Sequence, residues 1–228
     1  MKENIEIAQS FFQQKKYKET IDTCQELLAT DSNSLAAIKL IAKSYLATGK
    51  INDARLYLNK AINIQPSDFE VIKDLGNTFQ AVGDVNNAKK YYKQAISLNS
   101  SYAPALTNLG SIELSIGNKQ EALSLLIKAT ESEPDLAVAW GNLANGYVQL
   151  EKVKEAENAC RKAIELNPNL FKSHFLLANI LIGQKKLQEA EQPLRKSIEL
   201  NPNIFNYHFL LASILIEQKR PREAEKSL

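Results

Sequence analysis

The chain has 228 residues, enough for one or two domains, with 24% charged and 44% hydrophobic residues. Lys and Arg total 28 against 26 Asp and Glu, which excludes the strong basic excess of a dedicated nucleic-acid binder. No stretch approaches 18 uninterrupted apolar residues and the N-terminal segment lacks an apolar leader core, so neither a membrane span nor a secretory signal is expected.

The elements repeat. Pro66, Pro134, Pro168 and Pro202 are separated by 68, 34 and 34 residues, and Ser100 stands where the missing member would fall. A 34-residue period brings the rest of the chain into register. The first unit, 1–34, is the least regular, with Thr20, Leu27 and Ser32 where later units carry Ala, Ala and Pro. Terminal repeats are often atypical because one face meets solvent. Small residues then recur at three phases. One runs Ala54, Ala88, Ala122, Ala156, Ala190 and Ala224; a second runs Ala8, Ala42, Gly76, Gly110, Ala144, Ala178 and Ala212; a third runs Ala61, Ala95, Ala129, Ala163 and Ser197. Small side chains at fixed helical positions let neighbouring helices approach closely, and the apolar residues between them keep helical spacing, as in Leu106, Leu109, Leu123, Leu126 and Ile127.

Each unit therefore reads as two antiparallel helices, A and B. A tight turn at Gly49, Gly83 or Gly117 joins them, and an Asn-Pro turn ends the unit. Pro104 suits the first turn of an A helix and Pro221 that of the last B helix, where the missing N–H costs little. Pro193 falls inside a B helix, where a local kink is expected.

The unit 137–170 carries Trp140, Leu143, Ala144, Tyr147, Ala156, Ala163 and Pro168 in a pattern that resembles the tetratricopeptide repeat family. The resemblance extends over the whole chain as units 1–34, 35–68, 69–102, 103–136, 137–170 and 171–204, with a partial unit 205–228. It implies an all-α fold: one domain, 1–228, built as a right-handed superhelical solenoid of antiparallel helix pairs. The seventh unit stops part-way into its B helix, so either a longer protein or a covering segment is expected at that end.

In such an array the A helices line an inner groove, with repeat positions 2, 5, 9, 12 and 13, and 6 beside them, on or near that face. The candidate groove residues are Lys39, Lys43, Lys73, Asn77, Asn108, Asn142, Asn145, Phe175, Asn179 and Phe209. Gln80, Ser111, Val148, Lys172, Ile182 and Ile216 lie at the same phases. The lining runs from basic through amide-rich to apolar. Amides donate to and accept from a peptide backbone, lysines meet carboxylates, and the phenylalanines hold apolar side chains.

Two further likenesses bear on the groove. The carboxylate clamp found in some tetratricopeptide domains has Lys and Asn in one repeat, Asn in the next, then two cations. Lys73, Asn77 and Asn108 match its first three places, while Val138 and Asn142 occupy the cationic ones. The repeats of O-linked N-acetylglucosamine transferases carry an asparagine ladder. Asn108 and Asn142 match that phase, Asp74 continues it imperfectly, and Leu176 and Leu210 break it.

Other chemistry is sparse. His174 and His208 stand one repeat apart at the position Trp140 fills in its unit, which suits packing better than a shared metal. Cys24 and Cys160 form no CxxC pair and read as buried thiols of a cytoplasmic protein. No HExxH, phosphate loop or GxGxxG segment is present, and Glu121, Glu155 and Glu189 open B helices, where they favour the positive dipole end. The expected function is a non-catalytic scaffold, without cofactor, that binds a protein or peptide segment in its groove. The alternatives are a substrate-docking arm of a transferase whose catalytic domain lies past residue 228, and a solenoid that self-associates through its ends. Nucleic-acid and membrane partners are not expected.

Overall fold

The computed structural model describes residues 2–227, with side chains from Asn4. It is all-α, with no strand among the described residues. The chain divides into two compact units, Met1–Ala105 and Leu106–Leu228. The first holds α1 (Lys2–Gln13), α2 (Tyr17–Thr30), α3 (Leu35–Ala47), α4 (Ile51–Ile64), α5 (Phe69–Ala81) and α6 (Val85–Leu98). Helix α7 (Ala103–Ser115) spans the boundary between them. The second unit continues with α8 (Lys119–Ser132), α9 (Ala137–Gln149), α10 (Val153–Leu166), α11 (Phe171–Gly183), α12 (Leu187–Leu200), α13 (Phe205–Glu217) and the short α14 (Pro221–Glu225). From α3 to α13 the A helices begin at residues 35, 69, 103, 137, 171 and 205, so the 34-residue period of the sequence is also the period of the helices.

The small-residue phases lie in the helix interfaces. Ala54, Ala88, Ala122, Ala156 and Ala190 have no exposed surface. In the first unit Ile38, Ala42, Leu58 and Ala61 pack with Val71 and Leu75. In the second, Cys160, Leu177, Leu181, Leu194, Leu211 and Leu215 form the largest continuous cluster. Both cysteines are buried free thiols. Burial pushes Cys24 up to about 11 and, aided by Glu157, Cys160 up to about 12. Each is a packing group, not a nucleophile. Helix α12 runs through Pro193, which is itself buried.

One backbone feature recurs between A and B helices whatever residue occupies it. Gly49, Gly83 and Gly117 have φ of 72°, 78° and 87°, and the equivalent Lys15, Glu151, Lys185 and Lys219 have φ of 57–61°. The turn therefore demands the left-handed region even where no glycine supplies it, at a cost of about 1 kcal/mol for a non-glycine residue. Glu151→Gly is expected to raise the local stability of its helix pair, read by hydrogen exchange, by up to about 1 kcal/mol less the entropy glycine loses on folding. Gly83→Ala should lower that of its own pair by a similar amount. A lower stability for Glu151→Gly would mean that the Glu151 side chain contributes more than the strain costs.

The aromatic phase has a polar task as well as a packing one. Trp140 Nε1 donates to the Pro134 carbonyl at 2.9 Å. His174 Nε2 lies 2.9 Å from the Pro168 carbonyl and His208 Nε2 2.9 Å from that of Pro202. A carbonyl only accepts, so Nε2 of His174 carries a proton, while His208 sets both ring nitrogens beside carbonyls, its Nδ1 lying 3.0 Å from that of Ser227. A ring nitrogen at this phase thus meets the carbonyl of the turn proline before each of these three A helices. The sequence placed these residues at one phase; the structure shows that they share a partner.

Candidate functional site

In the first unit the expected cations are already engaged. Lys39 Nζ lies 2.8 Å from Asp68 Oδ2 and 3.2 Å from Glu70 Oε2, and Lys43 reaches the same Glu70 at 3.9 Å. Burial alone would lower the Lys39 pKa, but the hydrogen bonds from Lys39 to Asp68 and Glu70 outweigh it and hold the ammonium above its ordinary value. Lys73 pairs with the adjoining, buried Asp74. Asn77 donates to Asp74 Oδ1 at 3.1 Å, and its own Oδ1 accepts from the Tyr92 hydroxyl at 2.8 Å. The carboxylates that the sequence analysis assigned to a ligand are supplied by the chain itself. Lys39, Lys73 and Asn77 thus belong to the polar contacts among α3, α5 and α6, while Lys43 makes a long pair between exposed side chains.

The second unit is different. Helices α9 and α11, with Ser111 of α7 and Tyr207 of α13, enclose a cleft of about 560 Å³. That volume lies within the range of ligand sites. Val138, Gly141, Asn142 and Asn145 line it from α9, and Lys172, Ser173, Phe175, Leu176 and Asn179 from α11; Asn169, Leu170 and Phe171 close its near end. Repeat positions 2, 5, 6 and 9 of both A helices supply most of these residues. The cleft brings together Asn142, Asn145, Phe175 and Asn179 from the expected set. Asn108, half-buried on α7, does not line it, and Phe209, on α13 and 59% exposed, lies outside it. A second opening of about 510 Å³, lined by Val148, Val153, Ile180 and Gly183, shares Leu176 and Asn179 with the first. The two form a trough along α11.

Three properties set this trough apart. Asn142, Asn145 and Asn179 make no hydrogen bond among the described residues, so their amides face the cleft with donors and acceptors unspent. Position 5 of α9 is Gly141, and a Cβ there would stand 2.9 Å from Ser173 Oγ, so the missing side chain lets α11 approach closely at the floor of the cleft. Phe175 is held by a stacked contact with Tyr207, ring centroids 3.9 Å apart and planes 20° from parallel. Tyr207 is buried and its stacked ring forms a wall of the cleft.

Sequence reasoning missed Gly141, Ser173 and Tyr207. Gly141 stands at position 5 of its repeat, a groove phase, and so was legible. Ser173 and Tyr207 stand at position 3, which the helical pattern assigns to packing; they reach the cleft only because α11 and α13 turn that position toward a neighbour. Lys172 was recognised as an inner-face residue but was not singled out.

Among the described residues no helix is long and apolar enough to cross a membrane. Comparison with curated proteins finds no match. Solved structures match over most of the chain. A chain of the APC/C hetero-tetramer Cut9-Hcn1 aligns with a TM-score of 0.86 at 20% identity over 93% of this chain and 42% of that one. The present chain thus spans less than half the length of that relative. The pilF protein of Pseudomonas aeruginosa aligns at 0.77 and 22% identity, over 86% of this chain and 89% of its own. YrrB, described as a TPR protein with an unusual peptide-binding site, aligns at 0.53 and 22% identity, over 75% and 88% of the two chains. At these identities the likeness is one of fold. Residues 149–228 match the model for anaphase-promoting complex, cyclosome, subunit 3. Residues 11–75 and 80–146, more than half of the sequence, match the tetratricopeptide repeat model, and the chain belongs to the tetratricopeptide repeat family.

Proposed function

We propose that this protein is an interaction scaffold that holds an extended protein segment in the trough between α9 and α11. The observation that carries the proposal is the set of three amides, Asn142, Asn145 and Asn179, that line one cleft with no hydrogen-bond partner among the described residues. An extended peptide presents alternating N–H and C=O groups, and an amide side chain satisfies either. The apolar walls between the amides supply the surface whose burial drives association. Peptide recognition in YrrB, and the assembly context of Cut9-Hcn1, are consistent with a binding role on this fold.

The test uses peptides selected on the intact chain from a random heptapeptide library and measured by fluorescence anisotropy. The Asn142→Ala/Asn179→Ala double variant is expected to weaken them by about tenfold or more, since each lost hydrogen bond costs about 0.5–1.5 kcal/mol. Its helical circular dichroism and thermal midpoint should stay close to those of the parent, because neither amide serves the fold. Equal affinity for parent and variant would remove binding from the trough. The set Lys39, Lys73 and Asn77 is proposed as structural: their substitution should reduce stability before it reduces affinity.

A further inference from the structure

We infer that the segment held in this trough is acidic, carrying an Asp or Glu side chain next to an apolar one, and that Lys172 reads the acid. The inference rests on the trough being the binding site, as proposed above, and adds what the site selects. Lys172 is exposed, lines the cleft, and has no hydrogen bond or ion pair among the described residues. It is also the one charged residue among those lining the cleft, so no carboxylate there competes for it.

Four other cations of the unit show the contrast. Arg161 and Lys186 meet Glu157 at 2.9 and 3.6 Å. Arg195 and Arg220 meet Glu191 at 2.9 and 2.6 Å. These four cations are each neutralised by a carboxylate one helical turn or one repeat away, whereas Lys172 lines a cleft of amides, hydroxyls and hydrocarbon. An unpaired cation beside a partly apolar wall favours an incoming anion, because the attraction is less screened there than in open solvent.

Spacing gives the second half of the inference. Lys172, Phe175, Leu176 and Asn179 stand at i, i+3, i+4 and i+7 of α11 and share one face. Lys172 and Leu176 are therefore about 6 Å apart along the helix, close to two residues of an extended chain. Side chains two apart on an extended segment point the same way. The pattern expected is an acid, any residue, then a Leu, Ile, Met or aromatic residue. The apolar side chain would enter between Val138 and Leu176, which line the cleft from facing helices. The carboxylate is assigned to a side chain because the trough continues past both partners, toward Asn169 at one end and Gly183 at the other, so the segment passes through.

The experiment selects a random heptapeptide library on the intact chain and counter-selects on Asn145→Trp, which fills the cleft from an exposed position without touching the core. The expected outcome is cleft-dependent peptides enriched in Asp or Glu two residues from an apolar residue. Their affinity should fall at least about threefold in Lys172→Ala, about tenfold in Lys172→Glu, and further as salt rises. Replacing the acid by Ser in the peptide should abolish the difference between parent and Lys172→Ala. Cleft-dependent peptides without an acidic excess, binding Lys172→Glu as well as the parent, would overturn the inference and leave the trough as the binding site. A selection that yields only peptides indifferent to Asn145→Trp would overturn both. Peptides whose acid must be the C-terminal carboxylate would overturn the assignment to a passing segment.

Discussion

Asp68→Ala is expected to destabilise the first unit by about 2–3 kcal/mol, against about half of that for Asp68→Asn. One side chain does two jobs. Its Oδ1 accepts from the Glu70 and Val71 backbone N–H groups at 3.1 Å each and so caps α5. Its Oδ2 accepts from Lys39 at 2.8 Å, which fastens α3 to the start of α5. Loss of an N-cap costs about 1 kcal/mol, and a charge-assisted hydrogen bond in a largely buried place about 1.5–3. Asn restores the cap, since its amide oxygen accepts as well, but turns an N–H₂ toward the Lys39 ammonium. Ala loses both contacts and leaves Lys39 with Glu70 alone. Hydrogen exchange of the α5 amides, read beside urea unfolding, separates the two losses. Equal effects of Ala and Asn would mean that the cap contributes nothing.

The same residue predicts an acid limb. Burial by itself would raise the Asp68 pKa, but the hydrogen bonds from Lys39, Val71 and Glu70 more than offset it and hold the carboxyl below its ordinary value. A folded pKa below the unfolded value of about 3.9 contributes stability that is present above about pH 4. That contribution disappears as pH falls through the folded pKa. Between neutral pH and about pH 5 the difference between parent and Asp68→Asn should therefore be flat, and below about pH 4 it should shrink. A difference that grew on acidification would contradict the pairing.

Gly76→Ala should cost a net of about 1–2 kcal/mol, whereas the repeat-equivalent Gly110→Ala should be near neutral. A Cβ on Gly76 would stand 2.6 Å from Tyr92 Cε1 and 2.8 Å from Cδ1. Tyr92 is fully buried, and its hydroxyl is held 2.8 Å from Asn77 Oδ1 and 2.6 Å from Gln80 Oε1, so the ring cannot withdraw without breaking those contacts. Overpacking costs about 1–3 kcal/mol, and the gain in helix propensity from Gly to Ala, about 1 kcal/mol, returns only part. At Gly110 the Cβ would meet Leu126 Cγ at 2.7 Å. Leucine can change rotamer, and this chain already packs Ala against Leu at that phase, as Ala42 with Leu58 and Ala178 with Leu194, all buried. Adding Tyr92→Leu to Gly76→Ala should recover much of the loss. The comparison is read from hydrogen exchange within each helix pair, because repeat arrays do not unfold as one two-state body. Equal losses at Gly76 and Gly110 would show that Tyr92 sets no size limit.

The sequence alone determined the helices, their period and the positions that pack. That much is legible because a 34-residue repeat states the same local rules several times over: a small residue wherever two helices cross, a glycine or strained residue at each turn, a proline after most B helices. Local chemistry repeated in register is stronger than any one copy of it. It also set which side chains belong to the inner phases, including Asn142, Asn145, Phe175 and Asn179. Only the tertiary structure decided which of those residues are available. Lys39 and Lys73 occupy the same phases as the residues of the cleft, but Asp68, Glu70 and Asp74 come to meet them. Lys172 meets no such carboxylate. Whether a polar side chain is spent on the fold or left for a partner depends on groups brought near by packing, some of them a whole repeat away, and a repeat pattern cannot distinguish the two because it places both at the same phase.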